Sequence, residues 1–119
     1  DTRGFTMMGV SPVKALDAML ELGLAAQGGN CGNGPAEIEG VIEAMHERSP
    51  EAILVAKSNA GIPEVKGREI VYSGTPQVMA EHAVRIHQLG ARIIGGCCGS
   101  TPDHIRAMRG ALQTAFAAG

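Results

Sequence analysis

Three cysteines, Cys31, Cys97 and Cys98, are the residues of this sequence best suited to chemistry. Cys97 and Cys98 are adjacent in Gly95-Gly96-Cys97-Cys98-Gly99, and Cys31 lies in Gly28-Gly29-Asn30-Cys31-Gly32. Each group follows a short apolar run (Leu24–Ala26, or Ala91-Arg92-Ile93-Ile94) and precedes a helical pattern. All three thiols therefore fall in glycine-rich turns at the C-terminal ends of expected strands. In parallel α/β folds those turns share one face, and sites are built there. Three thiolates on one face suit a borderline-soft ion such as zinc. Three protein ligands with one open position is the catalytic pattern, whereas a structural zinc closes its shell with four. With no fourth cysteine, the last position would go to water, a substrate atom or a histidine. A lone cysteine at a strand end is ordinarily core packing. A Cys97–Cys98 bridge would be a vicinal disulfide outside ordinary geometry, and a redox dithiol would favour a Cys-x-x-Cys spacing. The placement of all three at equivalent positions, each flanked by glycine, puts metal binding first.

Side chains adjacent on a strand point to opposite faces, so Cys97 and Cys98 reach one ion only where the backbone leaves strand geometry. Gly95, Gly96 and Gly99 are expected to permit that bend. Asn30, Asn59 and Gly96, at strand ends beside the thiols, are the candidate substrate-binding residues; the two asparagines would serve equally to cap turns. The histidines add little. His82 and His87 are five apart and do not share a helix face. His46, beside Glu47 and Arg48, is expected in solvent, and His104 at the surface of a first helical turn. No His/Ser/Asp combination is supported by spacing, and no Gly-Lys-Ser/Thr phosphate loop is present.

The elements that must position these residues announce themselves by prolines. Ser11-Pro12, Gly34-Pro35, Thr75-Pro76 and Thr101-Pro102 each set a capping residue before a proline at the first helical position, where the missing N–H has no intrahelical partner anyway. Apolar stripes follow: Val13, Leu16 and Leu20; Ile38, Val41, Ile42 and Met45; Met79, Ala83 and Ile86; Ile105, Met108 and Leu112 with Phe116. Helices are expected over 12–22, 35–48, 76–89 and 102–116. Continuous apolar runs between them predict parallel strands over 24–29, 53–58 and 92–96, covered on both faces. Residues 1–10 read as loop, with an extended piece at Phe5–Met8. Gly61 to Gly74 is a long, charged connection on the active face, either a lid or a solvated excursion.

Composition narrows the classes. The net charge of -2 leaves no basic footprint for nucleic acid. No apolar run approaches the roughly 18 residues of a membrane span, and no signal peptide is visible. An odd number of cysteines at strand ends is no disulfide framework, which fits a reducing, cytoplasmic setting. With two Phe, one Tyr and no Trp, the chain also lacks the aromatics of an RNA-stacking surface.

Gly95-Gly96-Cys97-Cys98-Gly99-Ser100-Thr101-Pro102-Asp103-His104-Ile105 resembles the signature segment of the zinc-dependent homocysteine S-methyltransferases. Gly29-Asn30-Cys31 is similar to that family's earlier Asn-Cys segment, and Lys57-Ser58-Asn59-Ala60-Gly61-Ile62-Pro63 to its Asn-Ala-Gly stretch. The resemblance implies a (β/α)8 TIM barrel with zinc held by Cys31, Cys97 and Cys98. It implies transfer of a methyl group to the thiol of homocysteine, giving methionine, from a small donor: a betaine, a sulfonium such as S-methylmethionine, or methylcobalamin on a partner domain. Residues 1–119 would be the C-terminal portion of a single homocysteine-binding barrel domain, its last three βα units preceded by one helix. A full barrel takes about 250 residues. The inward residues of the three strands, such as Ile53, Val55 and Ile94, are therefore expected to be covered by the remainder of the barrel or by another chain. The competing expectations are a non-catalytic zinc-binding half-barrel acting as scaffold and a vicinal-thiol redox protein.

Overall fold

The computed structural model describes residues 6, 9–32, 34–61 and 64–118, with side chains as far as Ala115. The expected extended piece at Phe5–Met8 lies, apart from Thr6, outside the described residues, as does the side chain of Phe116. All four helices begin at their prolines: α1 (Pro12–Glu21), α2 (Pro35–Arg48), α3 (Pro76–Gln88) and α4 (Pro102–Ala118). Ser11 Oγ accepts the Lys14 N–H at 3.2 Å, and Thr75 Oγ1 accepts the Val78 N–H at 3.2 Å. Two orphan donors of the first turns are thereby satisfied.

Three strands, β1 (Gln27–Cys31), β2 (Leu54–Ser58) and β5 (Ala91–Gly96), form a parallel sheet in the order β1-β2-β5. The remaining strands, β3 (Glu64–Lys66) and β4 (Glu69–Val71), form a separate antiparallel hairpin. Every helix packs on one face of the main sheet. Leu16, Ile38, Ile42, Met45 and Ile86 meet Leu54, Ala56 and Ala91 in one buried cluster, and Met79, Ala83 and Met108 join Ala60 in a second. Ile94 packs against both. The other face carries Val55 and Ile93 with no helix over it among the described residues, and Ile93 is 49% exposed.

Some expectations are corrected here. The first strand begins at Gln27, not Leu24. Its ladder starts where Gln27 meets Leu54 of β2, so Leu24–Ala26 have no strand beside them and Leu24 stands half exposed. Ile93 rather than Ile94 faces away from the helices, because β5 carries one extra residue opposite the start of β2: Leu54 pairs with Ala91, but Val55 pairs with Ile93. The 61–74 connection contains the hairpin, turned at Gly67, with Val65 paired to Ile70 and both largely exposed. Within it, Ile62 and Pro63 lie outside the described residues.

Candidate metal centre

The sulfurs of Cys31, Cys97 and Cys98 all lie within 4.8 Å of one another, although 66 residues separate the first two in sequence. The parallel ladder does this. Cys31, Ser58 and Gly96 are level across the sheet, so the turns after β1 and β5 emerge side by side. Cys31 itself has φ +59, in the left-handed region that ordinary side chains avoid; its backbone is held there against a local cost.

What holds it is the segment after β2, which contains no cysteine. Ser58 O accepts the Cys97 N–H at 2.9 Å, and Ala60 N–H donates to Cys98 O at 2.9 Å. Asn59 grips both turns: its Oδ1 accepts the Cys98 N–H at 2.9 Å, its Nδ2 donates to Gly32 O at 2.9 Å, and its backbone N–H donates to Cys31 O at 3.2 Å. Asn59 is thus a clamp between the thiol loops, with both side-chain atoms engaged. Asn30 is exposed and donates from Nδ2 to Cys31 Sγ at 3.3 Å. Gly96 is the last residue of β5, and a Cβ there would run into the Ser100 side chain and approach Ile105 on α4. The sharp bend comes later than expected: Gly95 and Gly96 are still strand, and it is Gly99, at φ +81, that turns the chain with the Tyr72 ring packed over it.

The electrostatics separate the thiols. Cys31 and Cys97 are hydrogen-bonded through sulfur at 2.7 Å. The bond from Cys31 lowers the pKa of Cys97, with help from backbone N–H groups, and the same bond together with burial raises that of Cys31. Cys98 is the exposed member of the trio.

Two histidines differ from expectation. His104 is buried, not superficial. Its Nδ1 accepts from Thr101 N–H at 3.2 Å and Thr101 Oγ1 at 2.8 Å, while Nε2 donates to Gly74 O at 2.7 Å. It ties the start of α4 to the loop before α3. His46 is half-buried against Gly90 rather than solvated. Spacing also concealed a buried relay. Ser58 Oγ and His82 Nε2 lie 2.8 Å apart, His82 Nδ1 is 3.1 Å from Glu39 Oε1, and Arg85 Nε donates to the same carboxylate oxygen at 2.8 Å. Burial lowers the His82 pKa against the opposing pull of Glu39. Neutral His82 then donates from Nδ1 to the carboxylate and accepts the Ser58 hydroxyl proton. Ser58 is fully buried, so this relay ties β2 to α2 and α3 instead of presenting a nucleophile. A signal did exist: His82 falls on the Met79, Ala83, Ile86 stripe, three residues after Met79.

Among the described residues, no fourth His, Cys, Asp or Glu joins the three cysteines as a potential ligand, and no helix is long and apolar enough to cross a membrane. Compared with known proteins, residues 1–112 match the family profile described as homocysteine S-methyltransferase. The chain is 36% identical over 115 residues to a methionine synthase of Mycobacterium leprae (strain TN) and 35% identical over 115 residues to one of Mycobacterium tuberculosis (strain ATCC 25618 / H37Rv). Each alignment takes in 94% of this chain and 9% of the relative's length.

Proposed function

The chain belongs to the homocysteine S-methyltransferase family, and from that premise we propose that it is the thiol-binding part of a zinc-dependent enzyme that methylates homocysteine to methionine. The observation that carries the reading is the convergence of three thiols from two βα turns on one edge of a parallel sheet. Three parallel strands with all helices on one side are what three consecutive units of a (β/α)8 barrel present. In this reading the bare face is the barrel lumen, residues 1–119 are the C-terminal portion of the domain, and the remaining strands of the barrel cover Val55 and Ile93.

The donor set fits zinc: three sulfurs all within 4.8 Å of one another and no fourth protein ligand among the described residues, where a tetrahedron with 2.3 Å bonds has an edge of roughly 3.8 Å. Cys31 and Cys97 would open from 2.7 Å by about 1 Å to reach that edge. Held by these cysteines, zinc would supply the Lewis acidity that keeps a substrate thiol ionised near neutral pH. The chain's own contribution is placement. Asn59 fixes the two turns relative to each other, Asn30 donates to the Cys31 sulfur, and Gly99 under Tyr72 holds the turn that carries Cys97 and Cys98. In the reaction the homocysteine sulfur attacks the donor's methyl carbon in line. The S–C bond forms as the bond to the donor breaks, the donor keeps that electron pair, and the thiol proton passes to solvent. No general acid or base is required.

The test begins with metal content. Reduced protein loaded with zinc and desalted should retain about one ion per chain, and C31S, C97S and C98S should each lose it. Calorimetric titration of the zinc-loaded protein with homocysteine should then show binding, and none without metal. Full zinc retention in the triple serine variant would overturn the proposal, as would a loaded protein that takes no thiol.

A further inference from the structure

Among the described residues, the uncovered face of the sheet has one cation at the level of the site. Along β2, Leu54, Ala56 and Ser58 are buried towards the helices, so Val55 and Lys57 point the other way. Lys57 is level with Asn30 on one side and Gly95 on the other. Its side chain borders a cleft of about 460 Å³, shared with Asn30, Val55, Gly96 and Cys97, a volume within the range of small-molecule sites. The stem rests near the bare backbone of Gly95, where a Cβ would stand 3.5 Å from Lys57 Cγ and 3.7 Å from Cε. That is two residues short of Cys97. Among the described residues no acidic side chain pairs with Lys57 and none lines the cleft.

We infer that Lys57 anchors the carboxylate of a small molecule bound in this cleft beside the thiols. The inference rests on the methyl-transfer reading and deepens it. An ammonium with no acidic side chain beside it among the described residues, in a cleft otherwise lined by glycine, amide, apolar carbon and the Cys97 sulfur, is the complement of a carboxylate. Two molecules in the reaction could bring one: the amino acid that supplies the thiol, or a betaine-type methyl donor.

Zinc-loaded wild type, K57M and K57R, matched for zinc content, distinguish the sources by calorimetry. The ligands are homocysteine, 3-aminopropane-1-thiol (the same thiol without its carboxylate) and glycine betaine. If the amino acid is held, K57M weakens homocysteine by about tenfold to a hundredfold, leaves the aminothiol unchanged, and K57R restores most of the loss. If the donor is held, the same loss appears with glycine betaine and not with homocysteine. K57M binding both carboxylates as wild type does would overturn the inference alone. Equal weakening of homocysteine and the aminothiol would also overturn it, because the charge would then be acting on the sulfur or the metal. A wild type that binds neither thiol would instead remove the methyl-transfer reading, and this inference with it.

Discussion

Replacing Asn59 with alanine should separate the two thiol loops without removing a sulfur. Its side chain makes two hydrogen bonds of 2.9 Å, one to the Cys98 N–H and one to Gly32 O. Each contributes about 0.5–1.5 kcal/mol net, so the pair contributes about 1–3 kcal/mol. Water can reach this half-buried site and repay part of the desolvation, which keeps the estimate off the higher figures for buried orphans. Both bonds end on turns that carry the cysteines, so the loss should fall on the arrangement in which the sulfurs converge. Expressed as zinc affinity, 1–3 kcal/mol is a weakening of about fivefold to about 150-fold. That overlaps the tenfold to hundredfold typical of groups behind a metal's direct ligands. Competition with a chromophoric chelator under reducing conditions measures it, and urea unfolding of the metal-free forms reports folding separately. A folded N59A that binds zinc within about twofold of wild type would show that the backbone bonds alone align the loops.

Two further outcomes follow from the buried groups and the bend. Burial holds the folded-state pKa of His82 below the ordinary value near 6.5, so its contribution is intact above pH 6.5, where folded and unfolded chains are both neutral there. As pH falls from 6.5 towards the folded pKa, the unfolded chain takes up the proton first and stability drops. Urea midpoints across pH 7.5 to 5.5 should decline less steeply in H82Q, which faces the same Glu39, Arg85 and Ser58; parallel curves would refute this. G99A places a Cβ against the Tyr72 ring at φ +81 and should cost about 1–3 kcal/mol. A thermal midpoint equal to wild type would mean that the turn and the ring rearrange freely.

The sequence revealed the helices well because proline restricts the chain directly. Pro12, Pro35, Pro76 and Pro102 each fix φ and remove an N–H that only a first helical turn can spare. β1 was less legible. Its residues, Gln27-Gly28-Gly29-Asn30-Cys31, carry almost no hydrophobic signal, and at Gly28 the neighbouring strand leaves no room for a side chain: a Cβ there would run into the Val55 backbone carbonyl. That is a packing requirement between elements, invisible to a window along the chain. The hairpin escaped notice because each strand has three residues and a paired apolar position that stays in water. The thiol cluster was readable as residue types, since three thiols at strand ends stand out in any sequence. The devices that hold it were not. The clamp at Asn59 spans 27 and 39 residues, and the Ser58–His82–Glu39 relay spans 24 and 43. No local spacing encodes separations that only a registered sheet brings together.

The extra residue near the start of β5 has a bearing on the thiols at its far end. With Ala91 held beside Leu54 and a regular ladder from there, Ile93 would stand beside Ala56 and Gly95 beside Ser58, one step out of phase with the observed pairing. Ile94 would then turn away from the helices that now enclose it, and Cys97 would arrive a residue too late for the Ser58 carbonyl. By accommodating Arg92 as a half-step, β5 keeps both Ala91 and Ile94 on the helix side, which strict alternation forbids for residues three apart. The bulge therefore works as a vernier. It lets the strand satisfy the core at its beginning and still deliver two adjacent sulfurs to a fixed point about 16 Å further on, so the geometry of the thiol cluster is set in part at the opposite end of the sheet.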